Sequence, residues 1–137
     1  MKSKYGVSGG RSGREKRTCD GIVFASIAEM EYYILLNEKN ICFEMQPSFV
    51  LQEGFKSEYG KIRDIRYVAD FRIGRYVIDV KGMETPEFRL KKKMFLKLNS
   101  DLVLVLAKKS GKNWKHYEYE IKQNRAINFF ERLSNEL

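Results

Sequence analysis

Tyr67-Val68-Ala69-Asp70-Phe71-Arg72-Ile73-Gly74-Arg75-Tyr76-Val77-Ile78-Asp79-Val80-Lys81 is the most informative run in the chain. Gly at the first position of a two-residue loop suits a type II′ hairpin turn. With Gly74-Arg75 as that loop, Ile73 faces Tyr76, Arg72 faces Val77, Phe71 faces Ile78 and Asp70 faces Asp79. Strand alternation then gathers Ala69, Phe71, Ile73, Tyr76, Ile78 and Val80 on one apolar face. The other face carries Asp70, Asp79 and Lys81, with Val68, Arg72 and Val77. Directly opposed Cβ atoms lie about 4.5–5.5 Å apart, and like charges there destabilise the pair. A divalent cation with oxygen ligands would relieve that repulsion, and Lys81 is a second candidate. An ordinary solvent-exposed polar face is the plain structural alternative.

Around this hairpin the chain reads as one domain. It has 137 residues, 43% apolar and 32% charged, a balance typical of globular proteins that bury a core. No apolar run is long enough for a membrane span, and none follows Met1-Lys2-Ser3-Lys4 to suggest a secretory leader. Two cysteines, Cys19 and Cys42, make no disulfide framework, and a single histidine, His116, leaves most zinc patterns unfilled. A reducing, cytoplasmic setting is the default expectation. The net charge of +8 favours polyanions, chiefly nucleic acid. Residues 1–21 hold six basic residues against two acidic ones, a net of +4, and glycines interrupt any period there. They read as a flexible basic arm, with a single domain following over 22–137.

Ser26 is a good helix N-cap, and Ile27, Met30 and Ile34 recur at helical spacing to about Asn40. A strand-like stretch, 43–51, is broken by Pro47, and 52–61 is polar and turn-like. Residues 62–73 and 76–81 read as strands. Thr85-Pro86 opens a second helix, to about Asn99, with Pro at its first position. The run Leu102-Val103-Leu104-Val105-Leu106 is typical of a strand buried on both faces. A last helix is expected from about Ile121, built on Ile127, Phe130 and Leu133. The order implies an α/β fold, a central mixed sheet flanked by helices.

Asp70 and Asp79-Val80-Lys81, joined by a hairpin, resemble the signature of the PD-(D/E)XK nuclease superfamily. Ser26-x-x-Glu29 resembles the first helix of that superfamily. Gln46-Pro47, Tyr67–Phe71, Asp79–Gly82 and the Lys-rich helix after Pro86 are similar, in that order, to small phage-encoded endonuclease and Holliday-junction-resolvase-like proteins. Ala69 stands where the eponymous motif has Pro, and Asp79 where Glu is frequent. The resemblance implies a restriction-endonuclease-like fold and Mg²⁺- or Mn²⁺-dependent DNA cleavage. Asp70, Asp79, the Val80 carbonyl and Glu29 would be the metal ligands, and Lys81 would orient the attacking water. Such chemistry needs a metal because hydroxide is scarce at neutral pH and the phosphodiester is already anionic. Ser26-x-x-Glu29 is equally a capping box, a local device. Branched DNA or Holliday junctions are the implied substrate and a homodimer the implied assembly. A noncatalytic nucleic-acid-binding or accessory protein is the alternative.

On the second helix, Leu90, Met94 and Leu98 are the expected core face. Arg89, Lys93 and Lys97, with Lys91 and Lys92, form a basic stripe expected to touch phosphates.

Overall fold

The computed structural model describes residues 9–121 and 125–136, and the chain divides into two units, Met1–Cys42 and Phe43–Leu137. In the first unit, α1 spans Gly9–Lys16. β1 (Thr18–Cys19) and β2 (Ile22–Val23) form a hairpin in which Cys19 faces Ile22. Its loop, Asp20-Gly21, has φ of 52° and 77°, the two positive values a type I′ turn requires. Arg17 closes the base of this hairpin. Its carbonyl accepts from the Phe24 N–H at 2.9 Å, and its Nε donates to the Phe24 carbonyl at 2.8 Å.

Regular structure is thus present from Gly9, within the stretch that reads as an arm. Asp20-Gly21 is the local signal for the hairpin, whose strands are too short to show alternation. The arm's Lys2 and Lys4 lie outside the described residues. α2 follows over Ile27–Glu38, capped by the Ser26 hydroxyl, which accepts from the Glu29 N–H at 3.1 Å. Its buried residues are Glu29, Met30, Tyr32 and Leu36.

In the second unit, five strands among the described residues form one sheet in the order β11-β10-β9-β8-β3. These are β3 (Glu44–Met45), β8 (Phe71–Ile73), β9 (Tyr76–Val80), β10 (Val103–Ser110) and β11 (Asn113–Glu118). β9 and β10 run parallel, linked through the helix α3 (Pro86–Leu98), and the other pairs are antiparallel. The sheet is therefore mixed, within an α/β chain. Leu104, Val105, Leu106 and Ala107 of β10 are buried, as a strand covered on both faces requires.

The β8–β9 hairpin has the expected register, with Ile73 facing Tyr76, Arg72 facing Val77 and Phe71 facing Ile78. Gly74 takes φ 57° and Arg75 takes no positive φ, in keeping with a type II′ loop. The expected faces need correction. Val77 is fully buried in a cluster with Ala69, Tyr67, Phe88, Phe95, Leu104 and Leu106. Ala69 thus shares a face with Val77, because the strand expected over 62–73 is interrupted.

That interruption reshapes both neighbouring strands. β4 (Ser48–Gln52) pairs with β7 (Ile65–Val68) in a separate two-stranded sheet. Between β7 and β8 the chain bends at Asp70, opposite Gln46-Pro47 between β3 and β4. The Gln46 N–H donates to the Asp70 carbonyl at 2.9 Å, and the Ala69 N–H to the Pro47 carbonyl at 3.0 Å. Gln46 has φ 50°, a strained value for a residue with a side chain. Between β4 and β7 the ribbon also makes a second hairpin, β5 (Phe55–Ser57) with β6 (Gly60–Ile62), in the stretch that reads as a turn.

The buried residues of α3 are Phe88, Lys92 and Phe95, with Met94 packed partly buried against the same core as expected, while Leu90 and Leu98 lie outside it. Leu90 and Leu98 are exposed, at 61% and 57%. The two phenylalanines, seven residues apart, bring the larger rings to one side, and Lys92 lies between them. The C-terminal helix α4 is shorter than expected, Phe129–Glu136, and residues 122–124 of its expected span lie outside the described residues. It packs Phe129 against Tyr76 and His116, with ring centroids at 5.3 and 4.9 Å. Burial lowers the His116 pKa to about 4, so this imidazole is neutral near pH 7.

Candidate active site

The bend at Asp70 turns its carboxylate onto β9. Asp70 does not continue the ladder opposite Asp79. Its N–H donates to the Ile78 carbonyl at 3.1 Å, and its Oδ2 accepts from the Val80 N–H at 2.7 Å. The first carboxylate is therefore tied to the backbone one residue from Asp79 and one from Lys81.

Asp79 is buried, 3% exposed, on the Val77 face of β9. Its Oδ1 pairs with Lys81 Nζ at 3.2 Å, and its Oδ2 accepts from the Tyr67 hydroxyl at 2.5 Å. Alternation makes the first contact possible, since residues two apart on a strand share a face. Tyr67 reaches Asp79 from β7. Burial first, and then the negative charge of Asp79, push the Tyr67 pKa well above the ordinary tyrosine range, so it remains a protonated donor. The Lys81 ammonium lies 4.4 Å from the centroid of the Phe88 ring, a cation–π contact.

Asp70, Asp79, Val80 and Lys81 thus converge within the second unit. Glu29 belongs to the first unit, where it is buried and its N–H is bonded by the cap residue Ser26. Tyr67 and the Gln46 bend are parts of the site that the sequence pattern does not assign. A tyrosine on a strand has no distinctive spacing, and its partner is twelve residues away.

The donors around Asp70 and Asp79 are carboxylate and carbonyl oxygens, the chemistry that suits a hard divalent cation. Among the described residues no three His, Cys, Asp or Glu side chains form a group that could hold a metal. Mg²⁺ is usually held by only one or two carboxylates, with waters and substrate phosphates completing its shell.

The basic stripe divides. Arg89, Lys93 and Lys97 are exposed at four-residue spacing. Lys91 is half-buried and pairs with Glu87 at 3.4 Å, one helical turn away. Lys92 is 1% exposed, which excludes it as a phosphate contact. Its Nζ pairs with Glu84, donates to the Tyr119 carbonyl at 2.9 Å, and lies 3.9 Å from Glu120. The clustering of cations on α3 groups a structural ammonium with its solvated neighbours.

A mixed α/β fold with a carboxylate–lysine centre is what the chain presents. Residues 10–118 match the family described as "Protein of unknown function (DUF1064)", and the chain belongs to that family. No curated protein matches it. A solved structure, "Crystal structure of SSO0001", is similar at 19% identity with a TM-score of 0.42. That match covers 77% of this chain, and this chain spans about half of that one, 52%. No helix among the described residues is long and apolar enough to cross a membrane.

Proposed function

We propose that the chain is a metal-dependent endodeoxyribonuclease with a restriction-endonuclease-like fold, of the PD-(D/E)XK type. It cleaves branched DNA such as Holliday junctions, as a homodimer, in phage DNA metabolism within the host cytoplasm. The observation that carries this reading is the Lys81–Asp79 contact at 3.2 Å beside the Asp70 carboxylate bonded to Val80 at 2.7 Å. Asp70, Asp79 and the Val80 carbonyl would hold Mg²⁺ or Mn²⁺, and the metal would supply charge neutralisation at the phosphate and a more acidic water. Lys81, partly exposed, orients the water and offsets charge growing on the scissile phosphate. Tyr67 fixes one oxygen of Asp79, and the Val80 N–H fixes one of Asp70, so neither carboxylate reorients as charge develops. Arg89, Lys93 and Lys97 receive the flanking backbone.

The test incubates purified chain with branched and linear duplexes in Mg²⁺, Mn²⁺ or EDTA. The expected result is metal-dependent cutting of the branched substrate, abolished in Asp79→Asn while DNA affinity persists. Cutting that survives EDTA would overturn the metal mechanism. The burial of Asp79, with both oxygens engaged, favours a second reading, a nucleic-acid-binding protein that does not cut. Binding without cleavage in either metal would select it.

A further inference from the structure

The β5–β6 hairpin belongs to no part of the site above. It is inserted between β4 and β7, and β7 carries Tyr67 to Asp79, so it projects from the same ribbon that builds the centre. Its register places Lys56 directly opposite Lys61 and Phe55 opposite Ile62. Alternation sends these two pairs to opposite faces. Directly opposed like charges destabilise a strand pair, and a bound anion removes that cost. Among the described residues, Lys56, Lys61 and Arg63 have no ion-pair partner, although Glu53 and Glu58 are on the same excursion.

The hairpin also exposes aromatic surface that a core would normally take. Tyr59, at the tip, is 89% exposed and Phe55 51%. The tip is braced, because the Ser57 hydroxyl accepts from the Tyr59 N–H at 3.1 Å and donates to the Gly60 carbonyl at 3.2 Å. Its root is tight. A Cβ at Gly54 would meet the Ile62 carbonyl oxygen at 3.0 Å and the Asp64 nitrogen at 3.1 Å. An open depression of about 540 Å³, lined by Gly54, Phe55, Lys56 and Lys61, brings apolar and cationic groups together.

We infer that this hairpin is a nucleic-acid-binding wing that takes an unpaired strand, its lysines on phosphates and Tyr59 and Phe55 stacked on bases. Exposed aromatics interleaved with cations are the features that bind single strands without reading sequence. The inference rests on the nuclease reading for the nature of its ligand. It deepens that reading by assigning the unpaired bases of a branch to one element.

The test is fluorescence anisotropy in EDTA with a labelled single-stranded oligodeoxynucleotide and a blunt duplex of the same sequence. The double variant Tyr59→Ala, Phe55→Ala is expected to weaken single-strand binding about tenfold or more, because stacking is removed, with duplex affinity unchanged within twofold. Lys56→Gln with Lys61→Gln is expected to lower the single-strand salt slope by about 0.7 for each phosphate no longer neutralised. Single-strand binding within twofold of the parent in both double variants overturns the proposal. So does an aromatic variant that weakens on both ligands equally. A parent that self-associates through these aromatics, with oligonucleotide binding unaltered in the variants, gives the wing to a second copy of the chain and also overturns it. Cleavage is followed separately. Hairpin-dependent binding by a parent that never cuts sinks only the enzyme reading, whereas efficient cutting with hairpin-independent binding sinks only the wing.

Discussion

Lys81 and Lys92 approach the same phenylalanine ring and do different things there. The Phe88 centroid lies 4.4 Å from the Lys81 ammonium and 5.7 Å from that of Lys92. The Lys81 side chain is 26% exposed and the Lys92 side chain 2%, and each is paired with a buried carboxylate. Lys92 joins Glu84 and the Tyr119 carbonyl, while the Ile121 N–H lies 3.4 Å from the other oxygen of Glu84. That cluster links α3 to the loop before it and to the chain beyond β11. Lys81 has Asp79 on one side and solvent on the other, beside Asp70. Equal charge on one ring therefore separates into an enclosed fastener and a partly solvated ammonium, the one assigned to the chemistry in the proposed function.

Removing the more enclosed cation is expected to produce the largest effect. Lys92→Met leaves Glu84 buried without its counter-charge, which costs about 3–5 kcal/mol of stability. Thermal or urea unfolding measures it, and a change below about 1 kcal/mol would mean that water reaches the pair. Pairing the change with Glu84→Gln should recover much of the stability, because the uncompensated charge is gone. Lys81→Met sharpens the contrast. Cleavage is expected to fall about 10²–10³-fold, as when one charge-stabilising donor is deleted from an active site. Stability should fall less than in Lys92→Met, since Tyr67 still serves Asp79. Equal destabilisation with unchanged cleavage would make both lysines fasteners.

Tyr67→Phe tests what holds the Asp79–Lys81 pair in place. The hydroxyl donates to a charged, buried acceptor, and its removal is expected to cost about 1.5–3 kcal/mol. A positioning role adds a second signature, a drop in kcat at saturating DNA with KM little changed. Destabilisation without that drop would confine Tyr67 to the core.

Legibility from sequence follows the range of the physics involved. The β8–β9 register is readable because a two-residue glycine loop fixes the three pairs next to it. The buried β10 is readable from its uninterrupted apolar run. The bend at Asp70 is not, because it depends on Gln46 and Pro47, some twenty residues earlier in the break between β3 and β4. Lys92 misleads for a related reason. Spacing shows which residues share a face of α3, but the buried side is chosen by what packs on it, and Phe88 and Phe95 outweigh Leu90 and Leu98 in apolar side-chain area. The Asp79–Lys81 contact is legible from strand alternation, whereas the hydroxyl partner of Asp79, Tyr67, is not.

The smallest expected effect lies on the exposed side of the same helix, where Lys92 has no counterpart. Arg89, Lys93 and Lys97 are solvated, so each change to Gln should leave stability within about 0.5 kcal/mol of the parent. If they touch the duplex backbone, each substitution reduces the slope of log affinity against log salt by about 0.9. The triple variant should therefore flatten that slope by nearly three units, which binding titrations in EDTA over a salt series resolve. Lys91→Gln is the internal control, because Lys91 is already paired with Glu87 and should change the slope less than any of the three. A slope that responds to Lys91 as strongly as to Lys93 would mean that the helix presents a diffuse positive field. A set of discrete phosphate contacts predicts the opposite ranking, with exposure on α3 deciding which cation counts.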